Sequence, residues 1–140
     1  MKLLFARLIK ITWSVIVVEQ FKYTILLVED DVSILKLLEF IFKKEYNVIL
    51  AENGQIAYEK VQERKPDLII SDIMMPVLTG IEFKEKLDND SNTSVIPFVF
   101  LSAIDDSNTK EKIIKLKGNH IIKPVKPSDL RDKVKSILVD

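Results

Sequence analysis

Asp72 opens the run Asp72-Ile73-Met74-Met75-Pro76-Val77-Leu78-Thr79-Gly80, directly after the apolar stretch Leu68-Ile69-Ile70. A carboxylate at the end of a buried strand, followed by a Pro/Gly loop, is poorly placed for packing. It is well placed for chemistry, because open α/β sheets carry their sites at the carboxyl ends of strands. Two further acids, Glu29 and Asp30, close the earlier apolar run Thr24–Val28. Ser102 ends a later run, and Lys123-Pro124 ends the last one. Three acidic side chains in one crevice raise one another's pKa unless a cation neutralises them. Mg²⁺ suits the role, since it is held by one or two carboxylates plus waters and phosphate oxygens. A metal, the Lys123 ammonium and the Ser102 hydroxyl together can neutralise the oxygens of a transferring phosphoryl group. Asp72 is then left as the nucleophile, forming an acyl phosphate.

The elements that must position these groups alternate. Strands are predicted over 24–28, 47–51, 67–71, 96–101 and 120–122, and helices over 32–44, 54–65, 80–87, 105–117 and 127–138. The helices show apolar residues at three- and four-residue spacing, as in Ile34, Leu35, Leu38, Ile41 and Phe42. Asp31 or Ser33 is placed to cap the first helix. Pro66 stops the second, Gly118 is expected to close the fourth, and Pro127 opens the last. Five strands alternating with five helices imply an α/β, doubly wound, flavodoxin-like (βα)5 sandwich of three layers with a parallel sheet. Order 2-1-3-4-5 has its switch point between the first and third strands, where Glu29, Asp30 and Asp72 would converge.

At 140 residues the chain fits one domain. Lys+Arg and Asp+Glu balance at 21 each, which points to no polyanionic partner, and no nucleic-acid motif spacing is present. The absence of cysteine and the single His exclude disulfide scaffolds, thiolate metal sites and His-rich zinc catalysis. Residues 1–22 stand apart from the domain expected over 23–140. Arg7 and Lys10 interrupt their apolar run, which is too short after Lys10 to span a bilayer. As a helix the segment would set Arg7, Lys10 and Ser14 on a narrow polar stripe, fit for a membrane surface or a partner. The other reading is that the natural chain starts at Val18.

Taken together, Ile25-Leu26-Leu27-Val28-Glu29-Asp30, Asp72-Ile73-Met74-Met75-Pro76 with Gly80, Leu101-Ser102-Ala103 and Lys123-Pro124 closely resemble the receiver domain of two-component response regulators, over about residues 23 to 139. The resemblance implies that Asp72 accepts phosphate from a phosphohistidine on a sensor histidine kinase or phosphotransfer protein. It implies that Glu29, Asp30, Asp72 and the Met74 carbonyl hold Mg²⁺. It implies that Ser102 follows the phosphoryl group on activation, that Lys123 pairs with it, and that the Lys123-Pro124 bond is cis. A downstream protein would dock on the face of the fourth helix, fifth strand and fifth helix. A cytoplasmic monomer or weak dimer is expected, acting without an output domain, a membrane span or direct nucleic-acid binding. Two departures stand out: Leu116-Lys117 replace the usual Gly-Ala, and His120 occupies the switch position where the family places an aromatic ring.

Each residue also has a plainer reading. Glu29, Asp30 and Asp31 could cap a helix, His120 could be an ordinary edge-strand residue, and the lysines of the last two helices could form a solvated face. The functional alternative is a receiver-like protein-binding module that works without phosphate.

Overall fold

The computed structural model describes residues 21–103 and 106–139. Five strands, β1 (Thr24–Val28), β2 (Asn47–Ala51), β3 (Leu68–Asp72), β4 (Phe98–Ser102) and β5 (Asn119–Ile122), form one sheet in the order β2-β1-β3-β4-β5. Every pairing is parallel. The helices between and after them are α1 (Val32–Phe42), α2 (Gly54–Glu63), α3 (Gly80–Asp88), α4 (Ser107–Lys115) and α5 (Pro127–Ile137). The expected doubly wound α/β sandwich is therefore the observed fold. The segment 1–22 lies outside the described residues except for Phe21 and Lys22, and the Phe21 carbonyl accepts a hydrogen bond of 2.8 Å from Asn47 Nδ2. Among the described residues no helix is long and apolar enough to cross a membrane.

Side chains alternate across a strand, so each buried strand feeds two cores. Leu26, Val28, Ile69, Phe98 and Phe100 pack against Ala57 and Val61 of α2, Phe83 and Leu87 of α3, and Ile113 of α4. Ile25, Leu27, Leu68, Ile70, Val99 and Leu101 pack against Leu35, Leu38 and Phe42 of α1 and Leu130 and Val134 of α5. Both faces of β1, β3 and β4 are thus covered, and the candidate site residues lie at their carboxyl ends.

Local capping sets the helix starts beside those ends. The Asp31 carboxylate accepts from the Ser33 and Ile34 amides at 2.9 and 3.2 Å, so Asp31 rather than Ser33 caps α1. Thr79 and Glu82 form a reciprocal capping box on α3. Asp106 caps α4 through the Thr109 amide at 2.7 Å, which starts that helix two residues later than the sequence pattern suggests.

Gly118 closes α4 differently from expectation. The left-handed residue is Lys117, at φ 56°. The Lys117 amide donates to Ile114 O and the Gly118 amide to Ile113 O, both at 3.0 Å, the paired bonds of a Schellman ending. Gly118 is needed for space: a Cβ there would collide with the Phe100 ring.

Candidate functional site

Asp72 is the last residue of β3 and is buried, with 8% of its surface exposed. Its Oδ1 accepts from the Ile73 amide at 2.8 Å, and its Oδ2 lies 3.5 Å from Lys123 Nζ. Glu29 follows β1 and is more deeply buried, at 2% exposed. Its amide donates to Ala51 O at 3.1 Å, which ties the end of β1 to the end of β2. Its Oε1 accepts from Lys123 Nζ at 2.9 Å, while its buried Oε2 has no hydrogen-bond partner among the described residues. Asp30 is exposed, yet one oxygen from each of Glu29, Asp30 and Asp72 lies within 4.8 Å of the others. The crevice is the one formed between β1 and β3 by the strand order.

Ser102 is fully buried at the end of β4, and its carbonyl accepts from the Lys123 amide at 2.9 Å. That bond fixes Lys123 just past β5, where its ammonium reaches back to both carboxylates. The Lys123-Pro124 bond is cis. Met74 follows Asp72 by two positions, on the loop, with its side chain exposed. His120 is partly buried in β5 opposite Phe100, two positions before Ile122, which pairs with Ser102.

The electrostatics are those of an incompletely neutralised site. Burial and the neighbouring Asp72 carboxylate raise Glu29 to about 7, against the opposing pull of Lys123. Burial works to lower Lys123, but the hydrogen bond to Glu29 and the charges of Asp72 and Glu29 outweigh it and hold the ammonium above its ordinary value. With all three carboxylates ionised, the single ammonium would leave two negative charges in a partly dry crevice, and the raised Glu29 reflects that strain. A hard divalent cation matches that deficit and the all-oxygen donor set, and it would satisfy the orphaned Glu29 Oε2.

Two features of the β3–α3 loop escape the sequence reading. Gly80 packs so closely on Asp72 that a Cβ would collide with the Asp72 carbonyl, and its amide donates to Ile73 O at 2.9 Å. Val77 sits at φ 71°, a conformation costly for a β-branched residue, with its side chain exposed. The Thr79-Gly80-Ile81-Glu82 string also carries a capping-box signature, which agrees with the start of α3 at Gly80 that the helical spacing predicts.

Comparisons with known proteins identify the family of this fold. Residues 25–135 match the response regulator receiver domain family. The chain is 36% identical over 129 residues to histidine kinase P4 of Formosa agariphila, covering 88% of this chain and 9% of that protein. It is 35% identical over 116 residues to the alkaline phosphatase synthesis transcriptional regulatory protein PhoP of Bacillus subtilis, covering 81% of this chain and 48% of that one. Among solved structures, chemotaxis protein CheY4 of Vibrio cholerae superposes with a TM-score of 0.78 at 28% identity, covering 83% of this chain and 98% of that one. The chain thus spans about half the length of PhoP and under a tenth of the kinase.

Proposed function

Because this chain belongs to the response regulator receiver domain family of two-component signalling, we propose that it is a Mg²⁺-dependent phosphorylation switch whose phosphoacceptor is Asp72. The observation that carries this reading is the Lys123 ammonium, placed 2.9 Å from Glu29 and 3.5 Å from Asp72, beside three carboxylates clustered within 4.8 Å. One Asp72 oxygen, Oδ1, is held by the Ile73 amide, and the other faces Lys123.

An Asp72 oxygen attacks the phosphorus of a phosphohistidine in line. The P–N bond breaks as the P–O bond forms, and the imidazole leaves with the electron pair. Lys123 shifts from the carboxylates toward the incoming phosphoryl oxygens, and the Ser102 hydroxyl approaches them. Glu29, Asp30, Asp72 and the Met74 carbonyl would hold Mg²⁺, which when bound neutralises charge on the transferring group. The donor is a sensor histidine kinase or a phosphotransfer protein, met in the cytoplasm. The Ser102 and His120 region passes the change to a downstream protein on the α4, β5 and α5 face.

Incubation with acetyl phosphate and Mg²⁺ tests this directly. One phosphoryl mass increment is expected, lost with EDTA and lost in Asp72→Asn. Unchanged labelling of Asp72→Asn would remove Asp72 from its role.

A further inference from the structure

Ser71 is fully buried on β3, in register with Val28 of β1 and Phe100 of β4. By strand alternation it shares a face with Ile69 and Ile73, and these two, with Val28 and Phe100, belong to the core under α2, α3 and α4. A hydroxyl among such neighbours is costly unless it is hydrogen-bonded. Its partner is the carbonyl of the next residue: Ser71 Oγ donates to Asp72 O at 2.8 Å. That carbonyl lies one residue past the last β1–β3 pair, Val28 with Ser71.

The Asp72 carbonyl and the Ile73 amide belong to one peptide group. The group is planar and trans, so its oxygen and its N–H point in opposite directions. The Ile73 N–H donates to Asp72 Oδ1 at 2.8 Å and also reaches Leu101 O at 3.2 Å. Gly80 lies against the same plane, since a Cβ on it would come within 3.0 Å of Asp72 O, Asp72 C and the Ile73 Cα. Turning the plane to release its oxygen would swing the N–H away from Oδ1. The carboxylate would then lose the bond that leaves Oδ2 facing Lys123 at 3.5 Å.

We propose that Ser71 is a positioning residue for Asp72: its hydroxyl fixes the Asp72–Ile73 peptide, and that peptide fixes the carboxylate in its reactive orientation. This deepens the function proposed above and rests on its assignment of Asp72 as phosphoacceptor. Ser71 acts through the peptide rather than on the phosphoryl group, and small misplacements of a reacting group are costly in rate. The plainer role of a buried serine is packing alone. Thr93 supplies the matched case. It is buried beyond the far end of α3, and its Oγ1 donates to Leu87 O at 2.6 Å.

The test compares the full chain with Ser71→Ala, Ser71→Thr and Thr93→Val. Each is read for its urea midpoint, for the NMR shift and hydrogen exchange of the Ile73 amide, and for phosphoryl uptake from acetyl phosphate and Mg²⁺ by intact mass. Ser71→Ala should slow uptake about tenfold, move the Ile73 amide signal and speed its exchange about tenfold. Thr93→Val also loses a buried hydroxyl, yet it should stay within about twofold of wild type in both rates. Ser71→Thr keeps the hydroxyl and should take up phosphate within about threefold of wild type, even where its added methyl lowers the urea midpoint. An unmoved Ile73 amide in Ser71→Ala would overturn the proposal, as would uptake by that variant at the wild-type rate. So would Thr93→Val slowed as much as Ser71→Ala, or Ser71→Thr as slow as Ser71→Ala. If wild type itself takes up no phosphate, the phosphoacceptor reading falls and the Ile73 amide decides the rest. Exchange faster in Ser71→Ala than in Thr93→Val keeps the hold of Ser71 on the peptide, and equal exchange removes it.

Discussion

Gly80 and Asp72 are in backbone contact: the glycine Cα lies against the Asp72 carbonyl, leaving no room for a Cβ. Ser71 Oγ donates to the same carbonyl at 2.8 Å. The eight-residue spacing of the motif is thus the length of a loop that leaves β3 and folds back onto the residue it began from. Gly80→Ala must push β3 and α3 apart. The expected loss is about 1–3 kcal/mol in urea unfolding, with reduced phosphoryl uptake. Wild-type stability in that variant would show that the loop yields at little cost.

The buried Glu29 sets a pH dependence for the metal-free protein. In the folded chain it holds its proton up to about 7, whereas the unfolded chain releases it near 4.5. Between those values the native state binds more protons, so stability falls as pH rises through that window and levels off above it. Urea midpoints in EDTA should show this Glu29 contribution as wild-type loss, from pH 5 to pH 8, that exceeds the loss in Glu29→Gln. Saturating Mg²⁺ should shrink the difference. Identical slopes for the two proteins in EDTA would contradict the raised Glu29.

Asp30 offers the exposed oxygen of the acidic cluster. Asp30→Ala should weaken Mg²⁺ about tenfold or more, since even outer partners of metal ligands cost that much when removed. It also takes one negative charge from the crevice, so the metal-free variant should be at least as stable as wild type. Titration calorimetry that gives equal affinities would exclude Asp30 as a ligand.

Val77 and Lys117 are the two described non-glycine residues with positive φ, at 71° and 56°. Left-handed geometry costs roughly 1–2 kcal/mol for such residues, part of which glycine returns as chain entropy in the unfolded state. Val77→Gly and Lys117→Gly should each stabilise by about 0.5–1 kcal/mol. Gly118→Ala should destabilise, because its Cβ meets the Phe100 ring. Reversal of the order between Lys117→Gly and Gly118→Ala would refute this account of the α4 ending.

Hydrophobic period and strand-end chemistry made most of the fold legible. Leu68-Ile69-Ile70 reads as a buried strand because both its faces are covered, and Asp72 is conspicuous because it ends that run. The α4 boundaries were less legible. Gly118 carries the usual sign of a helix end, but the left-handed position fell to Lys117 and the glycine to the contact with Phe100. Such a contact lies between residues distant in sequence and leaves no periodic trace. Val77 was invisible for a related reason: nothing in a valine announces positive φ, and the loop imposes it through closure onto Asp72.

The pair Glu29 and Lys123 joins residues 94 apart, at 2.9 Å. Closing so long a loop carries an entropy cost, which the packing of the sheet around it offsets. A nascent chain emerging from the ribosome presents its acids well before the lysine that balances them. Complete synthesis through β5 is therefore a precondition for the charge balance of the crevice, and a fragment ending at β4 would display the acidic motif without that balance.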